Sequence, residues 1–133
     1  MIPVIVVDAS ALLEVLLNSA VADRVAARIF RVGDTLHAPH LLDLEVVQVL
    51  RRYAAAGDLG TERALEALED LGDFPLTRYP HDVFLARIWA LRQNLTAYDA
   101  AYVALAEALD APLVTRDRAL AGARGHRARV EIV

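Results

Sequence analysis

The chain has 133 residues, of which 56% are hydrophobic and 24% are charged, and its formal net charge is −4. This length and apolar share exclude intrinsic disorder and fit one domain, residues 1–133, better than two. The absence of cysteine excludes disulfides and thiolate chemistry, and because all 14 basic residues are arginine, Walker A loops and lysine-dependent catalysis are excluded as well.

The first half of the chain predicts strands that alternate with helices. Residues 1–7 (MIPVIVV) form a β-branched run typical of a buried strand in a parallel sheet. Asp8 ends this run, which is too short to span a membrane and lacks the basic leader of a secretory signal, so we expect a cytoplasmic protein. The next predicted elements are helices over residues 9–17 and 21–31, a strand over 35–38, and a long helix from Pro39 to about Ala56.

The second half continues the alternation. The predicted helices cover residues 61–71, 81–93, 96–109 and 118–121, and the predicted strands cover 74–77, 112–115 and 129–133. Short apolar strands that alternate with helices indicate the α/β class, with an open, mostly parallel sheet flanked by helices on both faces.

Asp8 and Asp117 each follow a predicted strand where a helix begins. This edge of an open α/β sheet is where ligands bind, but an acid there can equally cap the following helix. Ser10 could cap this helix as well as Asp8 could, so capping is a weaker explanation for Asp8. For each acid taken alone, both interpretations stay open.

Glu45 and Asp99 lie in helices that are otherwise apolar. The helix around Glu45 is apolar on nearly every side, so we expect this carboxylate to be buried, where an isolated charge is unfavourable. Asp99 completes a Thr-Ala-Tyr-Asp sequence similar to a capping box, although the helix that it opens looks buried. Asp43, by contrast, is explained by its place in the first turn of a helix, where the helix dipole favours an acid.

Together, the four acids predict a divalent-metal site. If their strands are parallel and adjacent, Asp8, Asp99 and Asp117 lie at one edge of the sheet, and the long helix can bring Glu45 over it. Two carboxylates about 4 Å apart repel by about 4 kcal/mol at an effective dielectric constant of about 20, so such a cluster requires cations. Ligand sets made only of oxygen select Mg²⁺ or Mn²⁺ rather than zinc.

Three segments of the sequence resemble PIN-domain ribonucleases of the VapC type, the toxins of bacterial VapBC toxin–antitoxin pairs: VIVVDAS, PHLLDLEVVQVLRR and TAYDAAYVALAEALDAPLVTRD. The resemblance covers nearly the whole chain in order and length. It implies a PIN-like fold and a Mg²⁺-dependent endoribonuclease, in which Mn²⁺ can substitute. Such an enzyme hydrolyses RNA phosphodiester bonds and inhibits translation and growth when it is free of its antitoxin.

The resemblance also implies the roles of individual residues. Asp8 and Asp99 match the acids that would hold a metal ion and its activated water, and Glu45 and Asp117 match the acids that complete the ligand set. Catalytic and metal-binding roles therefore fall on the same four residues. Ser10 and Thr115 match supporting polar residues. Gln48 stands where many relatives have asparagine. This difference concerns the residues around the metal ligands and does not change the implied chemistry.

Residues 116–129 contain five arginines and one acid. This excess of positive charge, together with two glycines, predicts a flexible basic loop beside the site that contacts RNA phosphates. A solvated surface loop is the alternative. The RNA-contact candidates are Arg116, Arg118, Arg124 and Arg127.

The first two predicted helices carry more apolar residues than a short helical pair buries easily against a small sheet. Surplus apolar surface of this kind indicates an interaction site, unless the sheet covers all of it. The resemblance implies a homodimer that is silenced by a VapB-type antitoxin, whose helix lies in an apolar groove. The groove candidates are Leu13, Leu16 and Leu17.

Two other classes of protein compete with this interpretation. A haloacid-dehalogenase-like phosphatase also places an aspartate after its first strand, but it requires a second aspartate where Ser10 stands, and usually a lysine. A catalytically inactive PIN-like binding module would keep the fold without the activity. The presence of all four acids argues against the inactive module.

Overall fold

The computed structural model of the protein describes residues 3–133, so the first two residues of the predicted opening strand, Met1 and Ile2, lie outside the described part. The strands are β1 (Val4–Val7), β2 (Thr35–Pro39), β3 (Leu76–Tyr79), β4 (Leu113–Thr115) and β5 (Val130–Ile132). The helices are α1 (Ala9–Leu16), α2 (Ala22–Ile29), α3 (Leu41–Ala55), α4 (Thr61–Asp73), α5 (Leu85–Ala90), α6 (Ala97–Leu109) and α7 (Arg118–Gly122). A 3₁₀ turn, Asp82–Phe84, precedes α5.

The five strands form one sheet in the order β3-β2-β1-β4-β5, and each pairing is parallel. The α/β prediction is therefore confirmed. Crossovers between parallel strands are almost always right-handed, which for this strand order puts α1 to α4 on one face of the sheet and α5 to α7 on the other. The contacts of α1, α3 and α4 with one another, and of α5 with α6, agree with this arrangement. The chain runs outward from β1 to β3 and then returns to β4 and β5 on the other side. The direction of winding therefore reverses between β1 and β4, which is where open parallel sheets bind ligands.

The core lies on both faces of the central strand. Residues Ile5, Val6 and Val7 of β1 are at most 2% exposed, because a strand in the middle of the sheet is covered on both faces. Helix α6 packs against β1, β2 and β4 with seven consecutive buried residues, 100–106, four of which are alanines. These short side chains let the helix approach the sheet closely. None of the helices in residues 3–133 is long and apolar enough to cross a bilayer.

The prediction that Pro39 opens the long helix is wrong. Pro39 is the last residue of β2, where it pairs with Tyr79, and α3 begins at Leu41. A proline is tolerated there because the next residue supplies the N–H: the amide of His40 donates to the carbonyl of Tyr79 at 2.8 Å. Strand β3 accordingly extends to Tyr79, two residues beyond the predicted end.

The expected surplus of apolar surface on the first two helices is also absent at most positions. Leu16, Val25 and Ile29 are at most 2% exposed, so Leu16 is a core residue and not part of a groove. Leu13 and Leu17 are partly buried and pack against the core. The physical reason is that α1 contacts α2, α3 and α4 as well as the sheet, so neighbouring helices cover apolar area that the sheet alone would leave exposed.

Candidate metal centre

Asp8 lies directly after β1 and is only 7% exposed. Its Oδ1 accepts hydrogen bonds from the Ser10 hydroxyl at 2.7 Å and from the Ala11 amide at 3.1 Å, and its Oδ2 accepts one from the Thr115 hydroxyl. Asp8 therefore caps α1 itself, and the expectation that Ser10 takes the capping role is wrong. Burial raises the pKa of Asp8, the three hydrogen bonds lower it, and the negative charge of Asp117 raises it further.

Ser10 and Thr115 join the end of β1 to the end of β4. Their hydroxyl oxygens are 3.3 Å apart. The amide of Arg116 donates to the Ser10 hydroxyl at 3.0 Å, and the amide of Asp117 donates to the Thr115 hydroxyl at 2.9 Å. These two hydroxyls therefore fix both the carboxylate of Asp8 and the backbone that carries Asp117.

Asp117 is the N-cap of α7. Its Oδ1 accepts from the amides of Ala119 at 2.9 Å and Leu120 at 3.4 Å. The capping interpretation is therefore confirmed, but capping uses only one carboxylate oxygen. The charge of Asp117 also raises the pKa of Asp99, so this acid acts electrostatically on the neighbouring carboxyl groups.

Asp99 lies in the first turn of α6. Its amide donates to the Thr96 hydroxyl at 3.1 Å, which confirms Thr96 as the helix cap. Partial burial raises the pKa of Asp99, and the charges of Asp117 and Asp8 raise it further, whereas a hydrogen bond with Thr96 lowers it. The first turn of α6 thus brings Asp99 into the electrostatic range of the acids that follow β1 and β4.

Glu45 lies on α3 and is partly exposed, so the prediction that it is buried is wrong. The reason is that α3 is covered less completely than its sequence suggests: Leu44 is 70% exposed and Val47 is 42% exposed. Desolvation still raises the pKa of Glu45, and the charges of Asp8 and Asp99 raise it further. Glu45 therefore belongs to the same electrostatic group as the other acids.

Tyr102 is a site residue that the sequence analysis missed. Its hydroxyl donates to Oε1 of Glu45 at 2.6 Å, and its ring is buried with only 2% of the residue exposed. Burial raises the pKa of the Tyr102 hydroxyl, with the charge of Glu45 as a further cause, so the hydroxyl stays protonated and acts as a donor. The available signal was its position three residues after Asp99, which places both on one side of α6.

The four acids have no cationic partner in the part of the chain that the structure describes. Among the residues that the structure describes, no arginine or histidine nitrogen lies within 4 Å of the carboxylates of Asp8, Glu45, Asp99 or Asp117. In residues 3–133, no three histidine, aspartate or glutamate side chains form a ready-made metal-binding group. The available donors are nonetheless all oxygen, and each pKa shift found among them, at Asp8, Glu45 and Asp99, is upward. Such a donor set suits a hard cation such as Mg²⁺ or Mn²⁺.

Two of the four predicted RNA-contact arginines lie beside these acids. Arg116 follows β4 and donates to the main-chain oxygen of Val133 at 2.5 Å, with Glu14 at 3.9 Å. Arg118 is exposed in the first turn of α7, directly after Asp117. Both arginines are therefore close in sequence and space to the junction of β4 and α7.

The other two arginines lie elsewhere. Arg124 and Arg127 are exposed in the segment after α7, and the amide of Arg127 donates to Glu107 at 2.7 Å. Glu107 is eight residues after Asp99 on α6, a separation of about 12 Å along the helix axis. The backbone of this segment is thus held by hydrogen bonds near the opposite end of α6, whereas the sequence predicted a flexible loop beside the acids.

Residues 5–125 match the PIN domain, the class of protein that this parallel sheet and its acidic edge define. The chain is 48% identical over 113 residues to ribonuclease VapC9 of Mycobacterium tuberculosis, covering 85% of each chain. It is 42% identical over 129 residues to ribonuclease VapC1 of the same species, covering 96% of each. The chain therefore belongs to the VapC ribonucleases of the PIN-domain family.

Solved structures agree on the fold. The protein PAE2754 of Pyrobaculum aerophilum is 29% identical, with a TM-score of 0.67 over 91% of this chain and 86% of its own. VapBC2 of Rickettsia felis, solved with a DNA fragment from its promoter, is 12% identical, with a TM-score of 0.71 over 97% of this chain and 98% of its own. At 12% identity the second likeness shows the fold alone.

Proposed function

We propose that this protein is the toxin of a type II toxin–antitoxin pair and cleaves RNA in the cytoplasm as a divalent-metal-dependent endoribonuclease, with residues 1–133 as a single nuclease domain. The observation that carries the proposal is the group of four carboxylates near the edge between β1 and β4, which have no cationic partner among residues 3–133. The ribonucleases to which the chain is 42–48% identical support the same reaction.

The donor set fits Mg²⁺, with Mn²⁺ as a substitute. Mg²⁺ retains several water ligands and is commonly held by one or two carboxylates, so a preformed cage of three is not required. We assign Asp8 and Asp99 as its ligands, with Glu45 and Asp117 completing the set directly or through water. When bound, the ion supplies an activated water and neutralises the charge of the phosphodiester transition state.

The protein residues orient this set. The hydroxyls of Ser10 and Thr115 hold both oxygens of Asp8, and the Tyr102 hydroxyl holds Glu45. Capping of α7 fixes one oxygen of Asp117 and leaves the other available. Hydrogen bonds that fix the ligand carboxylates reduce the reorganisation that metal and substrate binding require.

The proposal is tested by incubating the purified protein with total cellular RNA in Mg²⁺, in Mn²⁺ and in excess EDTA, and then mapping the cleavage ends. We expect cleavage in either metal, none in EDTA, and 5′-phosphate and 3′-hydroxyl ends. The matched variant Asp8→Asn should be inactive in all three conditions. Cleavage that persists in EDTA would overturn the metal mechanism. Mn²⁺ binding without any cleavage would identify an inactive binding module instead.

The proposed partner is a VapB-type antitoxin encoded beside this protein. The groove candidates that remain are Leu13 and Leu17, because Leu16 is buried. Growth should stop when the protein is expressed alone and recover when the antitoxin is co-expressed. Replacing Leu13 and Leu17 with serine should weaken inhibition by the antitoxin more than it weakens cleavage. An equal loss of both, with a lower melting temperature, would mean that these leucines serve the core alone.

We also propose a homodimer. An apolar depression of about 230 Å³ lies between α3, α5 and α6, lined by Leu41 among others, and Leu85 and Tyr98 on its rim are 58% and 62% exposed. Exposed apolar side chains grouped in this way are typical of an interface between copies. Light scattering should give twice the chain mass, and Leu85→Arg should give the monomer mass. A monomer in the unsubstituted protein would contradict the dimer.

A further inference from the structure

A polar cavity of about 590 Å³ lies between α2, β5 and the connection from β4 to α7. Five arginines line it and only one acidic side chain does, so its surface is strongly positive. The arginines are Arg24, Arg28, Arg31, Arg116 and Arg118, and the acid is Glu131.

Two arginines of α2 and one that follows it reach the cavity. Arg24 and Arg28 are four residues apart on one side of α2, and Arg31 lies two residues beyond the end of the helix. Val25 and Ile29, on the buried side, are at most 1% exposed and fix α2 against the core. The same packing therefore directs a stripe of guanidinium groups towards the open edge of the sheet at β5.

Part of this positive charge is already balanced within the protein. Arg28 donates two hydrogen bonds to Glu131, at 2.7 and 3.0 Å, and Arg116 bonds to the main-chain oxygen of Val133. Within residues 3–133, the side chains of Arg24, Arg31 and Arg118 have no acidic partner within 4 Å. These three guanidinium groups therefore remain available to an anionic ligand.

The chain connects the lining of the cavity to the candidate metal centre, although none of the four acids is among the lining residues. Arg118 directly follows Asp117, and the amide of Arg116 donates to the Ser10 hydroxyl, which in turn donates to Asp8. A polyanionic strand that places one phosphate at the acids would therefore bring a neighbouring phosphate to these arginines. Planar guanidinium groups bind phosphate oxygens in pairs, which suits this arrangement better than a flexible ammonium group would.

We propose that this arginine cavity binds the phosphates of single-stranded RNA next to the scissile bond and so holds the strand across the metal centre. The inference rests on the proposed ribonuclease function and adds to it the path of the substrate. It also assigns RNA contacts to Arg24 and Arg31, which no sequence pattern indicated.

The test compares two double variants with the same change of charge. The first is Arg24→Gln with Arg31→Gln in the cavity, and the second, as control, is Arg51→Gln with Arg52→Gln on the exposed end of α3. Binding of a fluorescein-labelled mixed-sequence RNA strand is measured by anisotropy in EDTA over a range of salt. Cleavage of the same strand is measured in Mg²⁺, and thermal melting checks that each variant is folded.

We expect the cavity variant to lose about 0.7 units of salt slope per lost phosphate contact, or about 1.4 in all, which corresponds to about 25-fold weaker binding at about 0.1 M salt. Its KM should rise while kcat stays close to that of the unsubstituted protein, since the scissile phosphate still meets the same acids. The α3 control should keep its salt slope. Arg118→Gln alone should show about half the loss of slope.

Three results would overturn the inference. Equal losses in the cavity variant and the α3 control would reduce the effect to net charge. An unchanged salt slope with weaker capture of the antitoxin would make the cavity a surface for protein binding. If the unsubstituted protein binds RNA and cleaves it but the cavity variant is unaffected, the substrate path is wrong while the ribonuclease proposal stands. Failure of the unsubstituted protein to cleave any RNA would instead refute the proposed function.

Discussion

The two acids near the ends of α6, Asp99 and Glu107, have opposite pKa shifts. At the C-terminal end, Glu107 accepts two hydrogen bonds from Arg87, at 2.8 and 2.9 Å, and this pairing lowers its pKa. At the N-terminal end, Asp99 has no such partner among residues 3–133, and burial together with neighbouring acids raises its pKa. Both acids are partly buried in the same helix, so the difference lies in what the rest of the chain places against them.

The same contrast occurs on α3. Asp43 lies 2.8 Å from Nε of Arg78, whereas Glu45, two residues later, is hydrogen-bonded only by the neutral hydroxyl of Tyr102. Within residues 3–133, Asp43 and Glu107 are thus each paired with an arginine, whereas no arginine lies within 4 Å of the acids at the β1–β4 edge. An unpaired group of acids lowers stability in the absence of a cation and is therefore the signature of a site for one.

The largest expected effect comes from removing the charge of Asp8 or Asp99. Asp8→Asn and Asp99→Asn should each lower the rate of RNA cleavage by about 1,000-fold, because a lost ligand forfeits several kcal/mol of transition-state stabilisation. Both variants should melt at the same temperature as the unsubstituted protein, or higher, in metal-free buffer. Asp43→Asn is the control and should leave the rate nearly unchanged. Unfolding of either active-site variant would show that its acid is structural.

Removing the charge of Glu107 should lower the stability of the fold and leave the cleavage rate unchanged. Glu107→Gln should lower the free energy of unfolding by about 1–2 kcal/mol, because it leaves the partly exposed Arg87 without its carboxylate and weakens the contact with the amide of Arg127. Urea denaturation measures this loss. The folded fraction should cleave RNA at the normal rate, and a variant that is stable but inactive would contradict the distinction between the two ends of α6.

The two ends should also respond oppositely to pH. The folded-state pKa of Glu107 is lowered, so its contribution to stability is present at neutral pH and is lost as the pH falls through the carboxyl range. The pKa of Asp99 is raised, so its protonation stabilises the metal-free fold as the pH falls from neutrality towards that range. Melting temperatures from neutral to mildly acid pH should therefore rise for the unsubstituted protein relative to Asp99→Asn. Relative to Glu107→Gln, the unsubstituted protein should lose its advantage on further acidification.

The smallest effect should follow from Tyr102→Phe, which removes one hydroxyl and keeps the ring in the core. We expect cleavage to slow by about 10-fold, the usual cost of losing a group that orients a metal ligand. The acidic limb of the pH–rate profile should also move to higher pH, because the lost hydrogen bond lowers the pKa of Glu45 in the unsubstituted protein. A slower rate with an unmoved limb would indicate a packing defect instead.

Most of the fold could be predicted because the period of the apolar residues changes clearly between strands and helices. The exceptions are places where a neighbour decides the outcome. Pro39 has the local signature of a helix start, but pairing with Tyr79 draws it into β2. Leu16 belongs to an apolar surplus that only the packing of α1 against three other helices removes. Neither contact is local in sequence, so neither could be found from the sequence pattern.

The four acids were recognisable because each one interrupts an apolar segment or ends a strand. The residues that support them were harder to find. Tyr102 is indistinguishable in sequence from a core aromatic until Glu45 is seen opposite its hydroxyl. Arg24 and Arg31 lie about 90 residues before Asp117 in the chain, and only the position of β5 brings α2 to the same edge. These supporting residues can therefore be recognised only from contacts between elements that are distant in the sequence.

The capping roles of Asp8 and Asp117 affect how this protein can lose its activity. An asparagine at either position keeps a side-chain oxygen that can cap the next helix as well as aspartate does. A loss-of-function change there should leave a well-folded chain that the cell does not clear. With an antitoxin partner as proposed, such an inert copy would still sequester that antitoxin. A silenced allele would then lower the amount of antitoxin that is free to neutralise active copies of the same toxin.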